Sequence, residues 1–153
     1  AAKRESGLWK TMKEGISKSR RKLTMTRLET WATPGVPDVV IQDELGLFHF
    51  VELKHTGGRA IELSPHQVTW MDLHKNGSAG ILVRQSKAKQ TDTVRVYHAS
   101  KAIDVRMEGT DCPPDLFVEA PYNWDEIMGL ICPIRSHIKD ESNNLTEELR
   151  HGV

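Results

Sequence analysis

Apolar positions recur along this chain with two different periods, and the switches between them mark the elements. Leu8, Trp9, Met12 and Ile16 predict a helix over 4–19 with one apolar stripe. Residues 23–31 read as extended, and Thr33-Pro34-Gly35 breaks the run. Residues 36–41 are β-branched and apolar, and 47–56 form another extended run. If Asp43 pairs with Leu47, the loop between these runs ends on Gly46, where a left-handed residue is wanted. That register sets Asp38 opposite Glu52. Side chains alternate along a strand, so Asp38, Glu52 and Lys54 converge on one side of the hairpin. Phe48 and Phe50 precede Glu52 on that side, which makes the charged end the rim of a buried surface.

Ser64 opens a second helix, with Pro65 at its first position. Val68, Met71 and Leu73 form its apolar side, with Trp70 on a flank. Residues 79–85 and 93–97 read as two more strands, joined by a polar, basic loop. Ser100 caps a short helix to Met107, Asp111-Cys112-Pro113-Pro114 breaks structure, and 122–132 predicts a last helix. Residues 136–153 are polar and are expected to be mobile unless a partner holds them. The element order is α-β-β-β-α-β-β, an α/β fold with a mixed sheet flanked by helices. Expected boundaries are 1–110 for the main domain and 111–153 for a C-terminal helical extension on, or trailing from, the same domain.

Two neighbouring carboxylates repel, and a hard divalent cation is a natural compensator. Mg²⁺ takes oxygen ligands, usually one or two carboxylates plus water and substrate phosphate. Asp38 and Glu52 are therefore candidate metal ligands, with the Leu53 carbonyl between them as a further one. Lys54 stands where it would orient a water or offset charge on a phosphorane. The plain alternative is a surface Glu52–Lys54 salt bridge. Glu5 falls on the apolar stripe of the first helix, where an acid calls for a reason, whereas Glu14 points the other way. Glu29 is a second candidate third acid, and a helix-dipole contact is the plain alternative for Glu5. Gln67 has two readings. With Ser64 it makes a capping box, and it also lies in the stretch that follows the acids.

The motif Gly35-Val36-Pro37-Asp38, then Glu52-Leu53-Lys54, resembles the PD-(D/E)XK nuclease superfamily. Gly57-Gly58-Arg59, Leu63-Ser64-Pro65, Gln67, Trp70, Gly80 and Ile81-Leu82-Val83-Arg84 follow in the order of its VRR-NUC branch, relatives of Holliday-junction resolvases. The namesake strand motif reads Val83-Arg84-Gln85 here, without its second arginine. The resemblance covers roughly residues 5–97. It implies a restriction-endonuclease-like core and a Mg²⁺-dependent, structure-selective DNA endonuclease, with Mn²⁺ able to substitute. It also implies 5′-phosphate and 3′-hydroxyl products. Glu5 then completes the metal site, directly or through water, and Gln67 contacts the lysine or a phosphate. A four-way junction is two-fold symmetric, so one active site per chain implies a homodimer. The alternatives are a nicking or flap-type nuclease and a DNA-binding module that does not cut.

Net charge is zero, but residues 1–30 carry nine Lys/Arg against three Glu, and residues 104–153 carry four against eleven acids. The basic end, including Arg20, Arg21 and Lys22, is expected to track phosphates together with Arg59 and Arg84. The plain alternative is a solvated helix end. The acidic tail is a candidate protein-contact segment. No apolar run reaches membrane length, and no leader pattern opens the chain, so the expectation is cytoplasmic. Cys112 and Cys132 fit no metal-ligand spacing and are expected as reduced thiols.

Overall fold

The structure is a computed structural model and describes residues 2–134. Helix α1 spans Ala2–Ser17 and is followed by strands β1 (Thr24–Arg27), β2 (Val39–Gln42) and β3 (Phe48–Thr56). Helix α2 (Pro65–Leu73) leads to β4 (Ala79–Gln85) and β5 (Thr93–His98). A 3₁₀ turn at Ala99–Lys101, helix α3 (Ala102–Glu108), strand β6 (Leu116–Glu119) and helix α4 (Trp124–Ile131) complete the order. The six strands lie in sequence order in one sheet. β3 and β4 run parallel and every other neighbouring pair is antiparallel. A parallel pair needs a crossover, and α2 supplies it.

Both faces of the sheet are covered. Leu8, Met12 and Ile16 of α1 and Ile127 and Met128 of α4 pack against Val39, Ile41, Val51, Leu53 and Leu82. On the other face, Met71 of α2 and Val105 of α3 pack with Ile81, Val83 and Tyr97. Burial on both sides explains the unbroken apolar run 81–83 in β4. Among the described residues, no helix is long and apolar enough to cross a membrane. Both cysteines are free and buried.

The hairpin register is the expected one. Asp43 N–H donates to Leu47 O at 2.9 Å, Gly46 has φ +80°, and Val39 pairs with Val51. The expected α/β mixed sheet is present, with several differences of detail. β1 stops at Arg27, so the stretch from Leu28 to Trp31 expected in it belongs to a long loop. A sixth strand follows the double proline, too short for periodicity to reveal beside Pro113, Pro114 and Pro121. Leu73 is 74% exposed, while Trp70 is the residue that packs inward, 5.5 Å from the Phe50 ring. The cap before the 3₁₀ turn is His98, which accepts from the Ser100 N–H, and not Ser100 itself. The stretch 136–153 lies outside the described residues.

Candidate active site

Asp38 stands one residue before β2, where the β2–β3 ladder runs out. Its backbone carbonyl accepts from Leu28 N–H at 2.7 Å. Its carboxylate Oδ2 takes over from the missing ladder partner and accepts from Leu53 N–H at 2.9 Å. The side chain is thereby held beside Glu52. The turn before it is fixed from the other side. Gly35 has φ +88°, and a Cβ there would lie 2.3 Å from the His66 carbonyl, so only glycine lets this turn close onto the start of α2.

Glu52 is 2% exposed. Its Oε1 accepts from Gln67 Nε2 at 3.0 Å, and Lys54 Nζ stands 3.7 Å away. Its Oε2 is buried with no N–H donor on it, and the Asp38 carboxyl lies within hydrogen-bonding reach of the Glu52 carboxyl. Burial, reinforced by the neighbouring Asp38 carboxylate, pushes the Glu52 carboxyl up to about 9, against the pull of Lys54. Both readings of Gln67 are realised by one side chain. Its Oε1 accepts from Ser64 N–H at 3.0 Å, Ser64 Oγ accepts from Gln67 N–H at 3.2 Å, and its amide NH₂ points to Glu52. The capping box sets the rotamer, and the rotamer aims the amide at the acid.

Asp38, Glu52 and Lys54 lie on the α2 side of the sheet, whereas Glu5 comes from α1 on the opposite face. It is nonetheless close enough to feel the charges of Lys54 and Asp38. Burial raises its carboxyl, Lys54 opposes that, and Asp38 adds to it. Glu14 and Glu29 are exposed. Glu14 lines a groove of about 520 Å³ against Trp124, at the other end of α1.

The donor set suits a hard cation. A carboxylate buried beside another carboxylate is an arrangement that an Mg²⁺-sized ion satisfies. Among the described residues, no three His, Cys, Asp or Glu side chains form a metal-holding group. Asp38 and Glu52 are the two acids of this group that could hold such an ion. Leu53 lies between them; its N–H is taken by Asp38 and its side chain is buried in the core facing α1.

The basic residues are dispersed. Arg20 and Lys22 are exposed, but they lie at the hairpin-turn end of the sheet, beyond the far end of α1. Arg21 is tied down. Its Nη2 pairs with Glu44 at 2.9 Å, and its Nη1 donates to the carbonyls of Met128, at 3.2 Å, and Cys132 at the C-terminus of α4. Arg59 is exposed and pairs with Asp111. Arg84 is partly buried on the α1 side, where its Nη2 donates to Arg4 O at 3.3 Å. Reading the sequence missed Arg27 and Arg4. Arg27 is exposed, pairs with Val39 next to Asp38, and is one of the charges felt by Glu5. The hairpin register, extended to one more strand, would have found it. Also missed was a chain on the face opposite Glu52, in which His55 contacts Ser86 at 3.1 Å and Ser86 donates to Asp92 at 2.9 Å. Burial, and then the charges of Arg84 and Arg4, hold His55 below its usual range.

No family model matches the chain, and no curated protein matches its sequence. A solved structure of a Holliday junction resolvase from Archaeoglobus fulgidus, an archaeal hyperthermophile, is similar over 61% of this chain and 69% of that one. The identity is 18% and the TM-score 0.36, a likeness too slight to say anything about activity.

Proposed function

We propose that the chain is a divalent-metal-dependent DNA endonuclease, structure-selective and acting on four-way junctions as a homodimer. The observation that carries the nuclease reading is the buried Glu52, beside Asp38 and with Lys54 at 3.7 Å. A fold that only bound DNA would gain nothing from burying this acid beside a second one. Asp38 and Glu52 would hold Mg²⁺, or Mn²⁺ in its place, with Glu5 acting through water. When bound, the ion polarises the phosphoryl oxygen and favours the hydroxide form of an attacking water.

The chain's own groups do the rest. Lys54 orients the water and offsets charge on the phosphorane. Gln67 holds Glu52 in the orientation that keeps both carboxylates turned to one point. The water oxygen bonds to phosphorus, the P–O3′ bond breaks, and a proton passes to the leaving oxygen, giving 5′-phosphate and 3′-hydroxyl ends. Arg20, Lys22, Arg27 and Arg59 supply backbone contacts, while Arg21 and Arg84 mainly hold α4 and α1 in place. The junction preference rests on the motif order from Gly57-Gly58 through Gln67 to Val83-Arg84.

The test is cleavage of matched linear duplex, nicked, flap, splayed-arm and four-way substrates with Mg²⁺, together with solution mass. Metal-dependent cutting that favours the junction, by a dimer, is expected. Equal rates on junction and duplex by a monomer would replace it with the nicking or flap reading. No cleavage of any substrate would leave a binding module.

A further inference from the structure

The loop between β1 and β2 carries the barest large apolar side chain among the described residues: Trp31 is 93% exposed. The loop is closed at its base by the Leu28 N–H to Asp38 O bond, so it springs from the candidate active site itself. Trp31 is three residues past Leu28, and three residues reach at most about 10 Å. The Gly35 turn holds the other limb against α2. Thr30, Ala32, Thr33 and Pro34 beside the indole are exposed and small or polar. Leu45, Leu47 and Phe48, also exposed, ring the hairpin turn at the other end of the sheet, and Leu73 ends α2 away from Gln67. Within the loop itself the indole is the one exposed large apolar side chain, a single ring and not the broad apolar patch that a protein interface needs.

One bare ring beside a phosphodiester-cleaving site matches one flat, ring-sized ligand. Arg27, exposed at the root of the loop, adds a cation for a flanking phosphate. A base inside a continuous duplex has both faces covered by its neighbours, whereas an unpaired base offers a face for stacking. We infer that Trp31 stacks on an unpaired base at a branch point or strand end and so presents the adjoining phosphodiester to Asp38 and Glu52. This rests on the proposed DNA cleavage, and it makes Trp31 a determinant of substrate structure.

The test uses the full chain as wild type, Trp31→Ala and Trp31→Phe. In EDTA, a short single-stranded oligonucleotide should quench wild-type tryptophan fluorescence more than the same-sequence duplex does, and both substitutions should remove that difference. With Mg²⁺, the preference for splayed-arm over linear substrate should fall about tenfold or more in Trp31→Ala, while Trp31→Phe keeps most of it. An unchanged preference in Trp31→Ala, or quenching that does not depend on Trp31, overturns the inference and leaves the nuclease reading standing. If the wild type cuts nothing, the nuclease reading falls, and the quenching alone decides whether Trp31 stacks.

Discussion

The β2–β3 hairpin carries a buried carboxylate at each end, and the two are treated in opposite ways. At the turn, Asp43 is fully engaged. Its Oδ1 accepts from the N–H groups of Leu45 and Leu47 at 2.9 and 3.1 Å, and its Oδ2 meets His49 at 2.7 Å. His49 in turn contacts Ser78 at 2.5 Å, which links the turn to the start of β4. Burial pushes Asp43 up, but the His49 and backbone hydrogen bonds outweigh it and hold the carboxyl below its usual range. At the other end, Glu52 has an oxygen with no N–H donor on it and a second acid beside it. Burial of an acid thus says little by itself. Complete hydrogen bonding marks Asp43 as structural, whereas Glu52 is buried against a second acid and is the end of the hairpin on which the proposed chemistry rests.

The largest expected difference is in chemistry. Asp38→Asn, Glu52→Gln and Lys54→Ala should each lower cleavage by about 10²–10³ or more while leaving DNA binding largely intact. Asp43→Ala, assayed where it remains folded, should cut at a rate close to wild type. Wild-type rates in both Asp38→Asn and Glu52→Gln would erase the distinction between the two ends.

Stability should move the opposite way. Asp43→Ala removes the acceptor of three hydrogen bonds and should cost about 3 kcal/mol in a denaturant titration at pH 7. A lowered carboxyl stabilises the fold above its ordinary value of 3.8, and that contribution fades as pH falls through the lowered one, so the deficit should shrink in acid. Glu52→Gln should instead stabilise the metal-free protein at pH 8 by up to about 5 kcal/mol, about 1.4 for each unit of pH above the ordinary value. The raised carboxyl favours folding fully below 4.5 and loses that contribution as pH rises towards about 9, so the gain from Gln should grow across this window. A metal-free Glu52→Gln variant less stable than wild type at pH 8 would mean that Glu52 is as well satisfied as Asp43.

Glu5 and Glu14 sharpen the comparison along α1. Glu5→Gln should reduce the cleavage rate about ten- to a hundredfold, as expected for a group acting through a water on the metal. Glu14→Gln should leave it within about twofold of wild type, by the same comparison of groups near and far from the metal. Damage from Glu29→Gln instead would assign the third acid to the loop after β1. The smallest expected effect concerns salt. DNA affinity should fall steeply with ionic strength, and Arg20→Gln with Lys22→Gln should reduce that slope by about one per lost phosphate contact. Arg21 is left in place because its loss would free the end of α4. An unchanged slope would confine the DNA path to the acid end, near Arg27.

The sequence by itself determined the hairpin, its register and the meeting of Asp38, Glu52 and Lys54. These follow from strand alternation and one tight turn, which are local rules. It also determined the capping box, and Gln67 shows why one motif has two meanings: the cap is local, whereas the approach to Glu52 required α2 to cross over and dock. Only the tertiary structure decided the rest. It set Glu5, on the helix of the opposite face, within electrostatic reach of Lys54 and Asp38, and it tied Arg21 and Arg84 to neighbouring helices. It also left Trp31 bare beside the site, and it separated the fully hydrogen-bonded acid from the one buried against a second acid. Each of these depends on contacts between residues far apart in the chain, and periodicity is blind to such contacts because it reads only which way a side chain faces along its own element.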